Sequence, residues 1–383
     1  MRPAEPEAAL TVATGAVVAY RLFDICYAID LGLAEQLWAR QARTASTRRR
    51  LTTTPPKAVA FGVPPVDLAL EPRTFLLGAA PIQAAVRARL FDFGVVSLAL
   101  HVPASGVGWT DFVALLNGVG RAVGPGSDAQ IWAELLREVT ALLADALDRP
   151  AASTLEEDYL IGVVHAFGGT VDGAEPLGAA TLLDRADLVP LLSGEQRPLS
   201  AGARADLLRH RFSYYLDDLV VLTWDRAFLY EPRGESDVLD ILEVANAQLL
   251  EMRYYDELLD AELPRMYDLV ETTQRTRSMF GSRRFATLAR RLYTLVAEVT
   301  ELTERVDNAL QVTEDVYLAR IYAAALDLFR VQTVSAAVER KLAIIRDTYA
   351  ALYEEASSGR AELMEMAVLV LIAVEVALAV FRH

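Results

Sequence analysis

The residues of this chain with chemistry to offer are four histidines, one cysteine and a few tight groups of carboxylates. His101, His165, His210 and His383 are scattered without the short helical or hairpin spacing that brings two ligands onto one ion, so no zinc site is expected. His101 and His165 sit in apolar runs, where a histidine is expected as a hydrogen-bonded core residue. Cys26, as the only cysteine, excludes an intrachain disulfide and a four-thiolate metal site, and has no histidine placed to activate it. Neighbouring carboxylates stand at Glu156-Glu157-Asp158, Asp217-Asp218 and Glu354-Glu355. Such neighbours ordinarily solvate a surface or cap a turn. The stretch 117–124, NGVGRAVG, resembles a glycine-rich phosphate loop, but it follows a helix-like segment and lacks the lysine and hydroxyl of a P-loop. No catalytic residue, cofactor or metal is therefore expected, and the chain is expected not to be an enzyme. The alternative is a nucleotide or ligand site within 75–235, with 117–126 as its loop.

Two arginine clusters interrupt an acidic chain of 383 residues with formal net charge −15. The first, Arg40, Arg43, Arg48, Arg49 and Arg50, has no interleaved aromatics for base stacking and reads as a solvated loop. The second, Arg275, Arg277, Arg283, Arg284, Arg290 and Arg291, gathers around Gly281-Ser282 and is the candidate patch for an anionic partner. RNA, anionic lipid or an acidic helix would suit it, whereas the overall acidity argues against duplex DNA. An apolar fraction of 53% excludes general disorder. Glu5 and Glu7 stand where a secretory leader would be apolar, so a reducing cytoplasmic setting is expected.

The elements that must carry these residues fall into four stretches. Residues 1–57 read as a strand-and-helix module: 11–27 is β-branched and aromatic, and Asp30 is placed to cap the helix that follows. Residues 58–235 alternate strand-like and helix-like pieces, giving an α+β domain. Strands are predicted at 57–61, 66–70, 93–102, 159–166 and 219–230, and helices at 82–90, 110–118, 128–148, 181–192 and 201–209. From 236 to 362 glycine nearly vanishes and helix formers dominate, which predicts a long-helix, coiled-coil-like region interrupted only at Pro264. Apolar seams run through Leu288, Leu292, Leu295, Val299, Leu302, Val306 and Ala309, and again through Val338, Leu342, Ile345, Tyr349, Leu352 and Ala356. A weakened pattern at 331–335 predicts the turn of an antiparallel hairpin. On the helix predicted at 237–263, Asn246, Gln248, Arg253 and Asp256 lie beside the apolar stripe and are expected to form a polar network that fixes its register.

The last stretch, 363–383, is the most apolar. Its run LMEMAVLVLIAVEVALAVF nearly reaches the roughly 20 residues that a spanning helix needs. Met366, Leu369, Ile372, Glu375 and Leu378 would form its partner-facing side. A glutamate at mid-bilayer costs about 2.5–3.5 kcal/mol, against about −0.3 to −0.6 for each branched aliphatic residue, so insertion is feasible and is easier if Glu375 faces a neighbouring copy. Burial within a soluble oligomer is the alternative. Both readings predict a partner surface, and the expected partner is a second copy of the chain, through the long C-terminal helices.

The helix DILEVANAQLLEMRYYDELLD, the end beginning VERKLAIIRDTYAALYEEASSGR and the early segment RLFDFGVVSLAL, with its aromatic-Asp-aromatic-Gly turn, resemble a bacterial member of the "required for meiotic nuclear division" family. The resemblance spans about 75–383. It implies an α+β domain, following helices and a terminal membrane-type segment, with no enzymatic activity. Together these expectations describe a membrane-associated, self-assembling scaffold or tether on the cytoplasmic face.

Overall fold

The strongest run of β-branched and aromatic residues near the start, Thr11–Asp24, forms β1, and it lies in the middle of the principal sheet rather than in a separate module. The computed structural model describes residues 10–41, 59–60, 63–124, 127, 130–150, 155–168, 176–234, 237–275, parts of 290–300, 311–312 and 315–351. After β1 come β2 (Cys26–Ile29) and α1 (Leu31–Gln41), whose first turn is capped as expected: the Asp30 carboxylate accepts from the Leu33 N–H at 3.0 Å. The chain continues through β3 (Val59–Ala60), β4 (Val66–Leu77), β5 (Ala80–Leu90), β6 (Val95–Ala104) and β7 (Val107–Gly108). Next are α2 (Trp109–Val123), α3 (Gln130–Leu142), β8 (Leu147–Pro150) and β9 (Glu156–Gly168). Three short helices, α4 (Ala179–Arg185), α5 (Val189–Ser193) and α6 (Ala201–Leu207), precede β10 (His210–Phe212), β11 (Leu219–Leu222) and β12 (Arg226–Tyr230). The last elements named among the described residues are α7 (Val238–Arg275), β13 (Gln311–Val312), α8 (Val316–Leu328) and α9 (Val331–Ala351).

The sheet runs β10-β11-β12-β9-β1-β6-β5-β4, with β7 pairing the start of β1. Every pairing is antiparallel except β9 with β12. The architecture is α+β, a mixed sheet with helices followed by long helices. One face of the sheet takes α2, which packs on β1 and β9 and buries Phe112, Leu116, Val119 and Val123. On the same side α3 buries Trp132, Leu135 and Val139. Such burial of whole aliphatic and aromatic side chains contributes about 1.5–3 kcal/mol each. The other face carries Tyr20, Arg87, Arg89 and Tyr159, and meets the first turns of α7 and the ring of Phe329, which stands 5.3 Å from that of Tyr159.

The chain divides into two compact units, Met1–Glu251 with Val306–Gln332, and Met252–Arg305 with Thr333–His383. The first unit holds the sheet. Within the second, Met252, Tyr255, Leu259 and Met266 of α7 are buried, as are Val338, Leu342 and Ile345 of α9. Lys341 ties α9 to α7 there, donating to the carboxylates of Asp256 at 2.7 Å and Asp260 at 2.6 Å.

Several expectations are corrected. The predicted helix at 82–90 is strand β5, because AAVRARL alternates two arginines with apolar residues at period two and pairs with strands on both sides. The predicted helix at 128–148 ends at Leu142 and the chain then enters a 3₁₀ turn and β8. The 181–192 helix is two, α4 and α5, separated at Ala186–Leu188. The turn expected at 331–335 lies inside α9, and the break falls instead at Phe329 and Arg330, the latter with φ +58°. Pro264 does not interrupt α7, which runs through it for 38 residues in all. Residues 352–383, including Leu352, Ala356, the Glu354-Glu355 pair and the whole apolar tail, lie outside the described residues. Among the described residues no single helix is long and apolar enough to cross a membrane; α8 and α9 pass that test only as a bent pair, by length and composition alone.

Candidate functional site

Strand alternation places Arg87 and Arg89 on the same face of β5, and the register sets Asp67 of β4 and Ser97 of β6 on either side of Arg89. Over this face lie Asp240 and Glu243, three residues apart in the first turns of α7 and therefore on one side of that helix. The side chains close into a buried ionic cluster. Arg89 is 1% exposed and grips Asp67 with both fork positions, Nε to Oδ1 at 2.7 Å and Nη2 to Oδ2 at 3.1 Å. Its Nη1 donates to Asp240 at 2.7 Å and to Glu243 at 2.8 Å. The same Glu243 oxygen accepts from Arg87 Nη2 at 2.7 Å, and Glu243 is fully buried.

Burial opposes the Arg89 charge, but Glu243, Asp240 and Asp67 outweigh it and hold that guanidinium above its ordinary pKa. Burial first, and Glu243 next, push the Tyr20 phenol above its ordinary value, and its hydroxyl has no hydrogen-bond partner. His101 is lowered to about 4 by burial and by the two neighbouring arginine charges, so it is neutral at pH 7. The cluster holds two guanidinium groups against three carboxylates, with Arg89 and Glu243 at its buried centre and Arg87, Asp67 and Asp240 partly exposed at its rim. What these contacts do is fasten the first turns of α7 to the sheet, joining Arg87 and Arg89 of β5 to Asp240 and Glu243.

A second buried acid lies at the end of β1. Burial raises Asp24 to about 7, one of its carboxylate oxygens has no hydrogen-bond partner, and Asp24 contributes to pushing the nearby Cys26 thiol up to about 12, an effect led by burial. Cys26 is buried and its thiol donates to the Ala28 carbonyl, so it is not poised as a nucleophile. A carboxyl whose folded pKa exceeds its unfolded value stabilises the fold most at low pH, and this contribution fades as pH rises from about 4 to 7. Asp24→Asn is therefore expected to raise the melting temperature by several degrees at pH 8 and to leave it almost unchanged at pH 4. Thermal melts at the two pH values check this, and an equal effect at both would exclude titration of Asp24 as the cause.

The residues singled out from sequence fall elsewhere. Asn246 is buried, but its amide donates to the Leu242 carbonyl within α7 at 2.8 Å. Gln248 accepts from the Tyr322 hydroxyl at 2.6 Å, Asp256 takes Lys341, and Arg253 is exposed. Of the arginine patch, Arg290 is exposed, while the side chains of Arg275, Arg277, Arg283, Arg284 and Arg291 lie outside the described residues, as do Met366, Leu369, Ile372, Glu375 and Leu378. The glycine-rich stretch is no loop: residues 117–123 are the last two turns of α2, where a side chain at Gly118 would collide with Leu77. Asn117 there links three elements, donating to the Pro190 carbonyl at 3.1 Å and accepting from Arg226 at 2.5 Å. Among the described residues no group of histidine, cysteine or carboxylates is arranged to hold a metal ion. What sequence reading missed is the cluster of Asp67, Arg87, Arg89, Asp240 and Glu243. Its one signal is the pair of arginines two apart in an otherwise apolar run.

Comparison with known proteins corrects the likeness to the "required for meiotic nuclear division" family. Residues 14–237 match the family described as "Uncharacterized protein MJ0711, N-terminal domain". The uncharacterized protein MJ0711 of Methanocaldococcus jannaschii is 24% identical over 178 residues, which are 46% of this chain and 53% of that protein. The chain thus spans about half the length of the curated relative it matches. No solved structure matches it. The earlier likeness rested mainly on helix patterns beyond residue 237, where apolar periodicity is shared by long packed helices of any origin. With more than half its length covered by the match, the chain belongs to the MJ0711 N-terminal domain family.

Proposed function

We propose that this protein is a non-enzymatic scaffold or tether that assembles with itself through its C-terminal helices and lies against the cytoplasmic face of a membrane through 363–381. The observation that carries this reading is the buried Arg89–Asp240–Glu243 lock, which spends the principal buried charges of the sheet on anchoring α7. α7 is 38 residues long in all, and within the second unit its Met252, Tyr255, Leu259 and Met266 are buried. Long helices that bury apolar faces are the kind of surface through which copies of a chain pack together. The tail sequence supplies the membrane element, with Glu365 at headgroup depth and Glu375 toward a neighbouring copy.

The test is mass and flotation. Light scattering after size exclusion is expected to give a multiple of the 383-residue chain, and flotation with lipid vesicles is expected for the full chain but not for one ending at residue 362. A monomer whose vesicle behaviour does not change on this truncation would overturn the proposal.

A further inference from the structure

We infer that the sheet edge at β10 is a docking site for an extended peptide segment of a partner protein, taken up as an added strand between β10 and α4. This deepens the scaffold reading by naming the surface that receives a client, and its test reads peptide binding rather than mass or flotation, so the two can fail separately. Among the described residues β10 begins the strand order and is paired on one side only, with β11. Such an edge presents backbone donors and acceptors ready for another strand. Beside it, α4 and β10 bound an open groove of about 520 Å³, floored by Ala179, Ala180, Leu183 and Leu219. That volume lies within the roughly 300–1,000 Å³ of ligand-sized clefts.

The groove carries one charge of each sign, Asp184 on α4 and Arg211 on β10, and among the described residues neither side chain has an ion pair or hydrogen bond. At its end the loop 213–218 is held rigid. Asp218 accepts from the N–H groups of Tyr214 and Tyr215, the Ser213 hydroxyl donates to the Tyr215 carbonyl, and the Ala179 N–H donates to the Leu216 carbonyl. Yet this fixed loop leaves Leu216 91% and Tyr214 64% exposed. Large apolar side chains displayed on a rigid loop beside a free strand edge are the composition of a recognition surface. A second copy of this chain suits the edge poorly. Antiparallel pairing of β10 about its central residue would set Arg211 against Arg211, and like charges directly opposite repel. The complementary occupant is an extended segment whose alternate side chains are acidic toward Arg211, small and apolar over the alanines, and basic toward Asp184.

The experiment uses the full chain and two fluorescein-labelled peptides, Thr-Glu-Thr-Val-Thr-Lys-Thr and its reverse, because either strand direction is open. One of them is expected to bind in a polarisation titration, and Arg211→Glu is expected to weaken it about tenfold or more, with binding restored when the glutamate of the peptide is replaced by lysine while its existing lysine still faces Asp184. Asp184→Lys serves as the second variant should Arg211→Glu fail to fold. Methylation of the valine nitrogen is expected to abolish binding, which simple charge attraction would not require. Failure of both peptides to bind below about 1 mM would overturn the inference. So would binding indifferent to both charge reversals and to N-methylation, or an Arg211→Glu variant that dissolves a dimer without affecting any peptide.

Discussion

Glu243→Ala is expected to cost the sheet unit about 3–5 kcal/mol, the range seen when one member of a buried ion pair is removed and the other stays behind. Glu243 pairs with both Arg87 and Arg89, through a single oxygen at 2.7 Å from Arg87 and 2.8 Å from Arg89. Without it Arg89 keeps Asp67 and Asp240, but Arg87 is left with a guanidinium whose side chain is only 20% exposed and whose Nε already lacks a partner. Glu243→Gln, which keeps the shape and one acceptor, is expected to cost less. Replacing Asp67, Arg87, Arg89, Asp240 and Glu243 together by apolar residues of similar volume is expected to be near neutral, because the desolvation of all five groups disappears along with their attraction. Hydrogen exchange over 238–251 and thermal melts followed in the near ultraviolet separate these outcomes. A loss below about 1 kcal/mol for Glu243→Ala would mean that the cluster does not fasten α7.

The ordering of those effects also explains what was legible in the sequence. Strands with buried faces on both sides announce themselves by composition, and Thr11–Asp24, Val95–Ala104 and Glu156–Gly168 were found close to their true places. The α+β character and the long helices after residue 237 followed from the same reasoning. β5 was missed because arginine is a good helix former and a poor sign of burial; only the pairing of Arg89 with Asp67 across the register explains why a charge lies inside. That pairing joins residues 22 apart, and Asp240 lies 151 residues away, so no local window contains the site. The hairpin turn was misplaced at 331–335 for a related reason. The apolar pattern weakens there, but backbone geometry breaks at Arg330 instead. By its type Pro264 predicts an interruption, whereas a helix held by packing on other faces tolerates the loss of one backbone bond.

The aromatic-Asp-aromatic-Gly turn at 91–94 was noticed for likeness, and its physical role is stronger than that likeness. It joins β5 to β6 while bracing the junction of β1 and β2: the Gly94 carbonyl accepts from the Ile25 N–H at 3.1 Å, and the Asp92 carbonyl from the Ile29 N–H at 3.0 Å. Gly94 has φ +96°, and a β-carbon there would fall well inside contact distance of the Cys26 carbonyl oxygen, which is backbone and has no rotamer by which to withdraw. Gly94→Ala must therefore either part the two strands or abandon the turn. The expected cost is about 3 kcal/mol or more, of which the positive φ itself supplies about 1–2. Gly78→Ala isolates that smaller part, since Gly78 also has a positive φ, +63°, with nothing within 4 Å of the added carbon. Melting temperatures should fall by about 6–12 °C for Gly94→Ala and by only a few degrees for Gly78→Ala. Equal losses would show that backbone conformation alone sets the requirement; the larger loss at Gly94 assigns the difference to the close approach of the Cys26 carbonyl, and so to the joint that holds β1 and β2 against β5 and β6.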